Sequence, residues 1–121
     1  MATTYTKLKL SGSTSGRGIL VAATATTGTT IHATGTSSTD MDEVWLYAQN
    51  NHTADIVLTI EYGGTTSPND LITVTVPFKS GISLIVPGLL LLGTGNATTI
   101  TAFAATTNKI SIFGYVNRIS P

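Results

Sequence analysis

ISLIVPGLLLL, residues 82–92, concentrates apolar side chains in a chain otherwise rich in threonine, serine and glycine, and it carries no charge. Whether this run is helix or strand decides the fold. A helix crossing a bilayer needs about 20 apolar residues; this run is shorter, and Pro87-Gly88 interrupts it. The reading is a strand over 82–86, a bend at Pro87-Gly88, and an apolar run of Leu89, Leu90, Leu91 and Leu92. Successive leucines put apolar groups on both faces of a strand, which a sheet with one solvated face does not require. Each leucine gains about 1.5–3 kcal/mol on burial, so water is a poor neighbour for all four. Ile82, Leu84 and Val86 are expected in the domain core, and Leu89–Leu92 at a contact with another subunit. The competing reading is that the bend carries the chain between two sheets of one sandwich.

Outward from this run the chain repeats one pattern, apolar alternation punctuated by glycine, proline and asparagine. Strands are expected over 6–10, 19–26, 29–34, 43–49, 55–62, 71–78, 99–105 and 109–117. Residues 43–49 and 55–62 read as a β-hairpin across Asn50-Asn51-His52-Thr53, as do 19–26 and 29–34 across Thr27-Gly28. Pro77 cannot donate to a ladder, so the end of the 71–78 strand belongs at an edge or bulge. No stretch sustains a helical period. Strands at spacings of roughly ten residues predict an all-β, single-domain β-sandwich with jelly-roll-like connections. An immunoglobulin-like sandwich or a small barrel is the alternative. Residues 1–16 are polar and glycine-spaced and are read as an N-terminal arm, with 17–121 as the sandwich.

A length of 121 residues fits one domain. Six basic and six acidic side chains cancel, and charged residues make up only 10% of the chain. That balance speaks against a nucleic-acid partner, which calls for a basic face, and it favours association over life as a free monomer. Threonine, about one residue in five, suits solvent-facing strand positions. The first residues lack the apolar core of a secretory signal, and neither that region nor residues 82–92 reads as a membrane span. With no cysteine, disulfides and thiolate metal sites are not expected.

The chain shows no reactive constellation. His32 and His52 lie in different strand-turn units; His32 is expected to be a partly buried, hydrogen-bonded strand residue and His52 a turn residue. The acids cluster once, at Asp40, Asp42 and Glu43, in a pattern without the glycine and distal glutamate of a calcium loop, so a solvated loop is expected. Asp55 and Glu61 read as outward residues of a strand pair. Gly12, Gly16 and Gly18 with Arg17 lack both the Lys-Ser/Thr and the following helix of a phosphate loop. No catalytic, cofactor-binding or metal-binding residue is therefore assigned, no cofactor is expected, and the chain is read as a non-enzyme. Trp45, Tyr47, Phe103, Phe113 and Tyr115 fall on alternating strand positions. They belong either to a sheet-packing or subunit contact or to a flat face that stacks sugars, with Trp45 and Tyr47 at its centre.

Several phrases taken together carry a resemblance: GILVAATAT at 18–26, GTTIH at 28–32, DEVWLYA at 42–48, VPGL at 86–89 and GYVNRI at 114–119. From about Arg17 onward the chain resembles the small all-β virion proteins of tailed bacteriophages that decorate or cement the capsid shell. The resemblance implies a β-sandwich or jelly-roll subunit, commonly a homotrimer, seated where major capsid proteins meet. It implies a place on the capsid exterior after synthesis in the bacterial cytoplasm. On that reading Leu89–Leu92, Tyr115 and Ile119 are the expected subunit contacts, and Thr4, Tyr5, Lys7 and Lys9 the expected capsid contacts. A carbohydrate-binding module, or a tail or baseplate β subunit, is the alternative.

Overall fold

Period-two alternation builds nine strands and, among the described residues, no helix; the structure, a computed structural model, describes residues 2–121. In chain order they are β1 (Thr4–Lys9), β2 (Ile19–Leu20), β3 (Thr29–Ala33), β4 (Met41–Asn50), β5 (Ile56–Tyr62), β6 (Leu71–Val76), β7 (Ser83–Leu92), β8 (Thr99–Ala104) and β9 (Ile110–Ser120). One sheet has the order β1-β9-β4-β7, with β2 continuing the β1 edge along β9; the other has the order β3-β8-β5-β6. Every strand pairing is antiparallel. We call these the first and second sheets.

The pairings nest. β1 and β2 pair with β9, β3 with β8, β4 with β7, and β5 with β6. A long two-stranded ribbon with β5 and β6 at its tip, rolled until β9 meets β4 and β8 meets β5, gives this order. That is the double Greek key of a jelly roll, and the all-β sandwich expected from the sequence is the fold.

The core lies between the sheets. β4 alternates strictly, burying Asp42, Val44, Leu46, Ala48 and Asn50 while Glu43, Trp45, Tyr47 and Gln49 face outward. Across from it β5 contributes Ile56, Leu58 and Ile60, and β8 and β9 add Ile100, Ala102, Ile110, Ile112 and Val116. The expected hairpins over 43–62 and 19–34 are therefore wrong. β4 and β5 belong to different sheets and face each other across the core, as do β2 and β3. β4 and β5 each have one largely apolar face, and two such faces bury more surface stacked than side by side.

Three further expectations change. β2 ends at Leu20, and Val21 still bonds Ile110 of β9 and is buried in the core. The residues after it leave the first sheet, Thr26 and Gly28 reaching Glu61 on the outer face of the second. The strand expected over 6–10, within the segment read as an arm, is present with shifted bounds as Thr4–Lys9 along β9, and Leu10 and Ser13 after it are buried. Residues 83–92 form one strand, not two joined by a bend. Register shifts lie between Val44 and Trp45 and between Leu46 and Tyr47 in the β4–β7 ladder. Each extra residue reverses which side chains face inward. Val86 is therefore buried, whereas Leu84 turns outward and Ile82 lies exposed before the strand. Pro87 is tolerated because β7 is an edge, and β6, which precedes Pro77, is an edge as well.

Candidate interaction surface

The outer face of the first sheet gathers the side chains that alternation sends away from the core. The register places Tyr5, Lys7 and Lys9 of β1 beside Ile119, Asn117 and Tyr115 of β9, and Leu20 of β2 beside Ser111. The same face continues through Trp45 opposite Tyr115 and Tyr47 opposite Phe113, then to Leu84, Pro87, Leu90 and Leu92 of β7. Members of three expected groups thus meet on one face: Tyr5, Lys7 and Lys9 of the capsid contacts, four of the five aromatics, and Leu90 and Leu92 of the β7 leucines. Tyr5 is 72% exposed, Leu20, Leu84 and Leu90 are each 50% exposed, and Leu92 37%.

The aromatic centre of this face is flat. Trp45 and Tyr115 lie with centroids 6.4 Å apart and planes 15° from parallel. Gly88 has φ near +77°, and a Cβ there would stand 2.8 Å from the Trp45 ring. Without that side chain the indole lies down over β7. At the other flank a Cβ on Gly18 would stand 2.7 Å from the Phe113 ring, so Phe113 lies over residue 18 in the same way. Trp45 Nε1 donates to Glu43 Oε1 at 2.9 Å, and Asn117 Nδ2 donates to the same oxygen at 3.0 Å. These two bonds hold the Glu43 carboxyl below its usual range. Lys7 Nζ sits 5.0 Å from the Tyr115 centroid, a cation–π contact, and Lys9 Nζ donates to the Ser13 carbonyl.

Not every expected contact lies here. Leu91 pairs with Asp42 and packs against the core, and Leu89 is in register with buried Val44 yet remains 43% exposed because β7 has no outer neighbour. Thr4 shares the parity of inward-facing Leu8 and is exposed at the start of the β1 edge. Phe103 is on the other side of the molecule, opposite Thr59 on the outer face of the second sheet. From the sequence, Leu20 has no expected surface role, Leu84 is expected in the core and Arg17 reads as part of a flexible loop. Arg17 stands with Thr14, Gly18, Ser111 and Phe113 at a cleft of about 440 Å³ between the β1–β2 loop and this face. Glycines at 16 and 18 around a lone arginine were the available signal.

The acids and His32 are occupied with structure. Asp42 is buried and receives Arg118 Nε at 2.7 Å, Arg118 Nη2 at 2.9 Å and His32 Nε2 at 2.8 Å. Ser11 N–H donates to His32 Nδ1 at 3.0 Å. A backbone amide can only donate, so Nδ1 accepts, Nε2 carries the proton and the imidazole is neutral. Burial raises the Asp42 pKa, but the Arg118 and His32 bonds outweigh it and the net shift is downward. The cluster joins the β1–β2 loop, β3, β4 and β9, and so ties the two sheets together. Asp42 is therefore a buried anchor, not part of the solvated loop expected from its neighbours.

Glu61 does the equivalent work on the second sheet. Its carboxylate accepts from Gly28 N–H at 2.8 Å, from Thr101 Oγ1 at 2.6 Å and from the Thr26 hydroxyl, which fastens residues 26–28 over the sheet. Burial raises its pKa, the three bonds lower it, and the net shift is downward. Glu61 points outward as expected but is covered by this loop. Among the described residues no buried side-chain polar atom lacks a hydrogen-bond partner, and no group of three or more His, Asp or Glu side chains converges. Compared with protein-family models, curated proteins and solved structures, the chain matches none.

Proposed function

We propose that the chain is a non-enzymatic structural virion protein that decorates a phage capsid, binding where major capsid proteins meet and assembling as a homotrimer. One observation carries the reading: among the described residues the buried side-chain polar atoms are all bonded, whereas the outer face of the first sheet and the β7 edge leave large apolar side chains in water. A four-strand face of ten residues' length offers about 600 Å² per partner, near the ~800 Å² of a standard interface. Leu89 is the informative residue. A partner resting on the face covers Leu84, Leu90 and Leu92, but only a neighbour beside the edge also covers Leu89, which supports β7 as the subunit contact. The β1 flank is left for the shell. The test is to mix purified chain with capsids stripped of it and to measure sedimentation of the free chain. Binding at a fixed number per capsid and a trimer in solution support the reading; a stable monomer that ignores capsids overturns it.

A second reading has its own observation. A near-parallel Trp45–Tyr115 pair with a carboxylate and an amide beside it suits the apolar face of a sugar ring and its hydroxyls. Binding on a glycan array that is lost in Trp45→Ala would favour it over the shell; an array without hits would exclude it.

A further inference from the structure

The zero net charge hides a polarity. Lys7 and Lys9 on β1 and Arg17 in the β1–β2 loop lie along one flank of the outer face of the first sheet. The acids lie elsewhere: Asp40 precedes β4, Asp55 and Asp70 sit in the loops before β5 and β6, and Asp42 and Glu61 are buried. Glu43, the one acid on the face, already accepts from Trp45 and Asn117. Among the described residues the ion pair is that of Asp42 with Arg118, with neutral His32 hydrogen-bonded to the same carboxylate, and no ion pair involves Lys7, Lys9 or Arg17. The basic flank has no acidic counterpart within its own chain.

Arg17 lines the cleft described above together with Thr14 and Ser111, and the Phe113 ring is laid over Gly18. An arginine and an aromatic ring lining one cleft suit a planar carboxylate on a short apolar stem. We propose that this flank seats an acidic segment of the partner protein, one glutamate or aspartate side chain entering the cleft to pair with Arg17 and neighbouring carboxylates lying along Lys7 and Lys9. The proposal rests on the docking role given to this face, and it names the chemistry of the docked surface. The same charges argue against other occupants. Two copies meeting face to face would set this flank against either the same cations or the apolar β7 edge, and neither supplies the opposite charge that electrostatic complementarity favours. A phosphate strand crossing the aromatic centre would pass over the Glu43 carboxylate.

The test uses the full-length chain, isotope-labelled, titrated with short poly-L-glutamate, with an oligothymidylate of similar length and with a neutral oligosaccharide. The expected result is that polyglutamate shifts the backbone amides of residues 12–20 and 111–115, with affinity falling as salt is raised. Arg17→Glu should lose roughly tenfold or more in affinity, Lys7→Glu with Lys9→Glu a similar amount, and Lys109→Glu, the same charge change in the β8–β9 turn, nothing. Polyglutamate shifts that are absent, or unaltered by Arg17→Glu, overturn the proposal, as does tighter binding of the oligothymidylate or the oligosaccharide at these residues. Stripped capsids separate it from the reading beneath it. Capsids that bind wild type and Arg17→Glu equally overturn the acidic partner and leave decoration standing. Capsids that bind neither, while polyglutamate still depends on Arg17, overturn decoration and leave the anion site.

Discussion

Asp42 is the residue on which the two sheets converge, since its carboxylate holds Arg118 of β9 and His32 of β3 at once. Removing one partner of a buried pair costs about 3–5 kcal/mol. Arg118 keeps a quarter of its surface in water, so Asp42→Asn should cost less, about 2–3 kcal/mol, read as a lower urea midpoint with unchanged slope. The pH dependence has a definite sign. The folded pKa values of Asp42 and Glu61 lie below their ordinary values of 3.8 and 4.5. Their contribution is complete above those values and is lost as pH falls through the lowered folded pKa. Wild type should therefore lose stability on the acid side of pH 4.5, and Asp42→Asn and Glu61→Gln should each start lower and show a shallower acid limb. Neither anchor was legible in the sequence. Asp42 stands beside Asp40 and Glu43 and looks like loop, and only the strand pairing brings Arg118 to it from the far end of the chain.

At the scale of elements, β7 separates its two faces. Leu90→Asp points into water and should leave the thermal midpoint nearly unchanged while removing self-association. Leu91→Asp places a charge against the core and should destabilise by about 3 kcal/mol or more. Sedimentation and thermal unfolding of the two variants, side by side, check this division; equal effects on folding would refute it. Gly88→Ala strains a left-handed backbone and drives a methyl into the Trp45 ring. Because Trp45 is the only tryptophan, its emission should shift toward longer wavelength as the ring lifts into water. The apolar character of β7 was plain from the sequence, whereas its phase was not. One bulge sits between Leu84 and Val86, and counting by twos from buried Val86 across it assigns Leu84 to the wrong face.

For the whole molecule, strand positions were readable because β4, β5, β8 and β9 alternate cleanly, and that was enough for an all-β sandwich. Which strands pair was not readable. The short connections after β4 and β8 look like hairpin turns but carry the chain across the core, because sheet membership is set by stacking complementary faces and not by turn length. The convergence of the expected contact residues on one face depends on this order, since β1 and β9 come from opposite ends of the chain and β4 and β7 from its middle. Electron cryomicroscopy of capsids carrying the chain tests the central claim most directly. The account predicts density on the capsid exterior where major capsid proteins meet, with the β1-β9-β4-β7 face toward the shell and β7 edges turned toward neighbouring copies. Density elsewhere in the particle, or capsids contacted through the threonine-rich outer face of β3-β8-β5-β6, would contradict it.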